Sequence, residues 1–172
     1  MHADAGAADG DGGPDGEGVR VAVLAARFNG AVVERLLEGC TAALHRHRVR
    51  DADVRVAWVP GAFELPLSAK AAAASGGFDA VVCLGAVIRG ETSHFDYVAG
   101  ECARGLQDVA LETGVPVLFG VLTTDTASQA MDRAGGEHGN KGWDAAVAAL
   151  EMVKVLDELR GRAVTPELGA KG

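Results

Sequence analysis

Hydrophobic and polar positions along this chain switch between two periods, and the switch repeats from end to end. Residues 19–25, Val-Arg-Val-Ala-Val-Leu-Ala, read as a strand. From 31 to 48, Val33, Leu36, Leu37, Cys40 and Leu44 recur at helical spacing. Residues 53–59 alternate, with Val54, Val56 and Trp58 on one face, and predict a second strand. The alanine-rich stretch 65–75 predicts a helix that tolerates Pro66 in its first turn and ends at Gly76-Gly77. Residues 79–86 are almost continuously apolar, as expected of a strand covered on both faces.

The second half continues the pattern. A helix over 95–113 stops at Gly114, and residues 115–121 supply a fourth strand. A short helix over 126–134 and a long one over 141–159 are separated by Gly135-Gly136-Glu137-His138-Gly139-Asn140. Strands that alternate with helices predict a parallel sheet. The expected fold class is α/β, a single-domain three-layer α/β/α sandwich around a four-stranded parallel sheet. The sequence shows no internal repeat and no second domain.

Composition changes this picture mainly at the ends. With 172 residues, 48% of them hydrophobic and 23% charged, the chain is long enough for one domain with a sizeable core. No apolar run approaches the roughly 18 residues a membrane span needs. Residues 1–18 have neither a basic start nor an apolar stretch, so no secretory signal is expected; they read as a disordered acidic tail. The domain is expected over 19–160, with a flexible tail over 161–172. The N-terminal tail carries Asp4, Asp9, Asp11, Asp15 and Glu17 and no Lys or Arg, so it accounts for most of the formal charge of −8. The body is only mildly acidic, which argues against nucleic-acid binding by bulk charge. Cys40, Cys83 and Cys102 lack CxxC spacing and read as reduced thiols of a cytoplasmic protein. Cys83, inside an apolar strand, reads as a core filler.

In open parallel sheets, ligands sit beyond the carboxyl ends of the strands. Here those ends carry Arg27-Phe28-Asn29-Gly30, Pro60-Gly61-Ala62-Phe63-Glu64, Gly85-Ala86-Val87-Ile88-Arg89-Gly90-Glu91-Thr92-Ser93-His94-Phe95-Asp96, and Thr123-Thr124-Asp125. Each piece has an ordinary reading. Phe28 can staple the helix after it, Glu64 can offset a helix N-terminus, and Gly90-Glu91-Thr92 can be a plain turn. His94 can be a cap or packing residue, and Arg133 a solvated charge at a helix end. Their convergence on one edge of the sheet favours the functional reading: an aromatic face, a carboxylate, a histidine, and amides at a helix start that suit phosphate.

Other chemistries lack their motifs. There is no GxGxxG after the first strand, no GxxxxGK[ST] and no GxSxG elbow. His45 and His47 point to different helix faces, and His94 and His138 have no paired ligands at useful spacing, so no metal is expected.

Several separated motifs stand in order over about residues 19–159: Gly61-Ala62-Phe63-Glu64; Val87-Ile88-Arg89-Gly90-Glu91-Thr92-Ser93-His94-Phe95; Phe119-Gly120-Val121-Leu122-Thr123-Thr124; Arg133-Ala134-Gly135; and Gly139-Asn140-Lys141-Gly142. Together they resemble the lumazine synthase family of riboflavin biosynthesis. One tetrapeptide is weak, but the whole series in order is specific. The resemblance implies a flavodoxin-like topology and a transferase. Its reaction condenses 5-amino-6-(D-ribitylamino)uracil with 3,4-dihydroxy-2-butanone 4-phosphate, giving 6,7-dimethyl-8-ribityllumazine, phosphate and water, without a cofactor.

The resemblance also implies roles. Phe28 stacks on the pyrimidine, Ala62 and Phe63 shape its pocket, and Glu64 accepts from ribityl hydroxyls. Ala86, Val87 and Ile88 hold the pyrimidine edge through backbone groups, and Phe119 packs over the ring from a neighbouring subunit. Gly90, Glu91 and Thr92 bind phosphate with Arg133, and Lys141 adds charge nearby. His94 moves protons. The Glu91 side chain is expected to turn to solvent or to Arg89, since a carboxylate facing phosphate is repelled. Family members form pentamers, in some cases 60-subunit shells, and the short 133–141 segment is compatible with such a shell. Riboflavin synthase is a candidate partner; no nucleic acid or membrane is expected. The alternative is a non-catalytic flavin- or lumazine-binding protein on the same scaffold, which has no need of His94 and Arg133.

Overall fold

The computed structural model describes residues 12–161. Four strands form one parallel sheet: β1 (Val21–Ala26), β2 (Val54–Val59), β3 (Ala80–Ile88) and β4 (Val117–Thr124), in the order β2-β1-β3-β4. The helices are α1 (Gly30–Arg46), α2 (Leu65–Ala74), α3 (His94–Thr113), α4 (Ala127–Asp132) and α5 (Lys141–Leu159). Single 3-10 turns precede β2 (Asp51–Asp53) and α2 (Ala62–Glu64). This is a single-domain, flavodoxin-like α/β fold.

The continuous apolar runs become the central strands. All of β1 and all but the last residue of β3 are buried. Alternate side chains feed two cores. Val21, Val23, Val82 and Leu84 meet α1 and α5 on one face, while Leu24, Val81, Cys83 and Val121 meet α2 and α3 on the other. Full burial of each such Leu or Val contributes about 1.5–3 kcal/mol. β2 is an edge strand and keeps Val56 and Trp58 partly open to solvent.

Four local features differ from the sequence expectation. β4 starts later, at Val117, and runs on to Thr124, because the two threonines stay in register with Val87 and Ile88. Its polar, β-branched end suits a strand whose edge is uncovered. The glycine-rich break contains a short antiparallel hairpin, β5 (Ala134–Gly136) with β6 (Gly139–Asn140), turned by Gly135 and Gly139 at φ of 100° and 73°. α1 ends at Arg46, and Arg48 takes a left-handed φ of 68°.

The fourth feature concerns the root of the expected tail, residues 12–18, which lies against that end of α1. Gly16 N–H donates to the His47 carbonyl at 2.7 Å, and His47 Nδ1 sits 3.0 Å from the Pro14 carbonyl. Asp15 and Glu17 pair with Arg48. The turn at Arg48 sets its guanidinium against the two acids, which the composition alone left as solvated charge. The rest of the expected N-terminal tail, residues 1–11, and residues 162–172 lie outside the described residues.

Candidate functional site

The carboxyl ends of β1 and β2 are tied together. Arg27 N–H donates to the Val59 carbonyl at 2.8 Å, and Phe28 N–H to the Pro60 carbonyl at 3.1 Å. Phe28 then leaves 72% of its surface exposed, so it does not staple α1. Phe63, 62% exposed, and Glu64 stand on the neighbouring 3-10 turn, whose first residue, Ala62, is buried beneath. The Glu64 carboxylate lies beside Gly61, where a Cβ would come within 3.3 Å of Oε2 and 4.0 Å of the Phe28 Cβ. Phe28, Gly61 and Glu64 thus form one cluster. No donor among the described residues engages the Glu64 carboxylate.

Asn29 follows Phe28 at a left-handed φ of 59°, and its Nδ2 donates to the Ala86 carbonyl at 2.8 Å. This residue was visible in the sequence only as part of a strand end; an asparagine between a strand and a helix is a frequent carrier of positive φ. Along β3, backbone groups alternate between the two neighbouring strands. Arg89 N–H donates to Thr124 on the β4 side, which puts Val87 on that side too and leaves Ala86 and Ile88 facing β1. Asn29 occupies the Ala86 carbonyl, and Val87 belongs to the β4 ladder. Ile88 stands past the end of β1, with its N–H and C=O on that side of the sheet.

After Ile88 the chain enters the loop leading to α3. The N–H groups of residues 90–93 have no acceptor among the described residues, and Thr92 Oγ1 lies 3.4 Å from the His94 N–H. His94 opens α3, exposed, with no ring hydrogen bond among the described residues. Open amides, a hydroxyl and a helix N-terminus make an anion cradle with an imidazole at its lip. The Glu91 side chain is exposed and does not pair with Arg89. Arg89 instead bonds Asp125 at 2.9 Å, lies 3.6 Å from Asp96 and stacks 4.3 Å over the Phe95 ring. Asp125 and then Asp96 raise the affinity of the Arg89 guanidinium for its proton. The latch ties the β3–α3 loop to the β4–α4 loop.

Phe119, Arg133 and Lys141 lie elsewhere. A groove along the open edge of β4 is lined by Phe119, Arg133, Arg89, Phe95 and Thr123, and includes none of Phe28, Phe63, Glu64 or His94. A second groove joins Phe119 and Arg133 to Lys141 and Asp144. Phe119 pairs in register with Cys83, while Ala25 pairs with Leu84 on the other flank of β3. Phe119 therefore sits about 13 Å down the strands and about 10 Å across the sheet from Phe28, or about 16 Å in all. α3 packs against both the Ala62–Glu64 turn and β4, and so stands between the two groups. Arg133 Nη1 donates to the Gln129 carbonyl at 3.0 Å and has no carboxylate partner among the described residues. Lys141 Nζ is 3.3 Å from Asp144.

The expected site residues thus fall into two separate groups on one chain, two candidate half-sites. One is aromatic, carboxylate-bearing and amide-rich, at the carboxyl ends of β1, β2 and β3. The other is cationic and aromatic, along β4 and the hairpin. Among the described residues, no three His, Cys, Asp or Glu side chains cluster as a metal site requires, and no helix is long and apolar enough to cross a membrane. A family model described as 6,7-dimethyl-8-ribityllumazine synthase matches residues 18–157, from just before β1 to near the end of α5. With that match spanning both half-sites and every element of the sheet, the chain belongs to the 6,7-dimethyl-8-ribityllumazine synthase family.

Proposed function

We propose that this chain condenses 5-amino-6-(D-ribitylamino)uracil with 3,4-dihydroxy-2-butanone 4-phosphate, the step of riboflavin biosynthesis that forms 6,7-dimethyl-8-ribityllumazine. The observation that carries this reading is the first half-site: an exposed aromatic face beside a free carboxylate, next to open amides and an imidazole at the start of α3. A flat heterocycle with a polyol arm and a phosphate ester together match that set.

The pyrimidine stacks on Phe28, with Phe63 and Ala62 forming the wall. Its edge meets the Ile88 backbone, with Ala86 and Val87 fixing the strand behind it. Glu64 accepts from ribityl hydroxyls. The phosphate rests on the amides of Gly90, Glu91 and Thr92 and on the Thr92 hydroxyl. Arg133 supplies a planar fork for it, and Lys141 adds a weaker contribution, since Asp144 offsets its charge.

The chemistry follows from that placement. The ring amine attacks the ketone carbon, and water leaves as the Schiff base forms. Loss of phosphate and closure by the second amine, with departure of a second water, complete the new ring. His94 relays protons between nitrogen and oxygen atoms in these steps, near neutral pH where an imidazole can both give and take one. Holding the two substrates face to face supplies much of the remaining acceleration.

The separation of Phe119 and Arg133 from Phe28 supports a site completed by a neighbouring copy, in a pentamer whose higher assembly is a 60-subunit shell. Exposed apolar residues on β2, α2 and α3, among them Trp58, Leu67, Tyr97 and Leu111, give such a neighbour surface to cover. The reading is tested by turnover with both substrates, following lumazine fluorescence, for wild type and His94→Ala. Product from the wild type and a clear rate loss in the variant are expected. Tight lumazine binding without turnover would replace the enzyme by a binding protein.

A further inference from the structure

The Asn140 side chain makes three hydrogen bonds at the junction of β6 and α5. Its Oδ1 accepts from Gly142 N–H at 2.8 Å and from Trp143 N–H at 3.2 Å, capping α5. Its Nδ2 donates to the Arg35 carbonyl of α1 at 2.9 Å. Ser, Thr or Asp cap a helix as well as Asn does. Of these only asparagine carries its donor on a separate atom from the capping oxygen, two bonds beyond Cβ, where it reaches a second element. The second bond, to a different element, is therefore the feature that singles out asparagine here.

The neighbouring chain is shaped around that amide. A Cβ on Gly39, in α1, would run into the Asn140 side chain, and a Cβ on Gly142 would run into the Leu36 carbonyl. Both glycines admit the close approach. Asn140 also pairs with Ala134 in the hairpin, and Lys141 N–H donates to the Arg133 carbonyl at 2.9 Å. The two cations of the second half-site are thus sequence neighbours of the Ala134–Asn140 pair, Arg133 just before β5 and Lys141 just after β6, and the Nδ2 bond fixes that pair to α1.

We propose that Asn140 is a positioning residue for phosphate recognition: its amide tethers the Arg133–Lys141 pair to α1 and sets where the two cations meet the phosphate. The inference rests on the proposed phosphate role of Arg133 and Lys141. Asn140 itself touches neither substrate.

The variants Asn140→Ser and Asn140→Asp separate the tether from the cap. Both keep an N-cap acceptor for α5 and both lose the bond to Arg35: the serine hydroxyl is too short to reach that carbonyl while capping, and the aspartate has no donor and sets a charge against it. Thermal melts and size-exclusion profiles first establish that each variant folds and assembles as the wild type does. Each is then expected to raise the dissociation constant of inorganic phosphate and the KM of the phosphate-bearing substrate about tenfold, the worth of one charge-assisted hydrogen bond. kcat and the KM of the amine substrate should stay within about twofold.

In an Arg133→Ala background the same changes should add little, because the stronger of the two positioned cations is gone and Asp144 offsets the other. An equal rise in that background, or a uniform fall in kcat with unchanged phosphate affinity, overturns the proposal. Phosphate titration reads it even if the wild type fails to form lumazine, an outcome that refutes the reaction and not the tether. Phosphate binding that ignores Asn140 refutes the tether.

Discussion

If the two half-sites of one chain serve different active sites, chains broken in different halves should rescue each other. His94→Ala damages the half at the carboxyl end of β3, and Arg133→Ala damages the half beside β4. Removing a positioned proton carrier should lower kcat about 100-fold, and removing the guanidinium fork should lower kcat/KM by about the same factor. On that premise the roughly 16 Å between Phe28 and Phe119, with α3 between the two groups, has the halves meet across a contact between different surfaces of two copies. In a ring assembled at random from equal amounts of both variants, about one site in four draws both halves intact. The two proteins would be unfolded together in guanidinium, refolded as a mixture, and assayed by lumazine fluorescence beside each parent refolded alone. Activity near a quarter of refolded wild type is expected, against about one hundredth for each parent. A mixture no better than the average of its parents, although size-exclusion shows mixed assemblies, would mean that each chain builds its own site.

Glu91→Ala should leave the KM of the phosphate-bearing substrate unchanged or lower it, because the proposed site takes phosphate on the Glu91 amide while its side chain is exposed; a rise of tenfold would place the carboxylate in the site. Gly142→Ala should lower stability by about 1–3 kcal/mol in urea titration, although alanine ordinarily gains about 1 kcal/mol over glycine in a helix, since the new Cβ meets the Leu36 carbonyl; a stabilised variant would contradict the close approach of α1 and α5. The thiols make a prediction about pH. Burial pushes Cys40 up to about 12 and Cys102 up to about 11, while burial and then the neighbouring Cys102 raise Cys83 further. Above about pH 8.5 the unfolded chain loses thiol protons that the native chain keeps, so stability should fall as pH rises, by up to about 1.4 kcal/mol per unit for each thiol. Below that pH the three contribute no slope. Urea midpoints at pH 8 and pH 10 measure this, and Ellman's reagent at pH 8 should find no reactive thiol until denaturant is added; rapid labelling of all three in the native protein would contradict their burial.

Much of the architecture was legible because its strongest signals are local. The unbroken apolar run of β3 fixed a central strand, the spacing from Val33 to Leu44 fixed the inner face of α1, and Gly114 marked the end of α3. The β5–β6 hairpin was not legible, since three residues paired with two carry no periodicity. The docking of residues 12–18 escaped for another reason. Asp15 and Glu17 look like tail charge until the turn at Arg48, far along the chain, brings a cation to them. Within the site, the open amides of residues 90–93 and the exposed Phe28 stood where the strand-end rule put them. The division into halves could not be read, because it depends on strand order and on α3 lying between Ala62–Glu64 and β4. Asn29 and Asn140 were in plain view, but an asparagine at a junction reads as a turn until its side-chain partner, Ala86 or Arg35, is known.

The most direct measurement follows phosphate release and lumazine fluorescence in the same reaction, with wild-type protein and both substrates. One phosphate per lumazine, rising together and only when both substrates are present, is the result the account predicts. Phosphate released without lumazine, or neither product while both substrates bind, would contradict it.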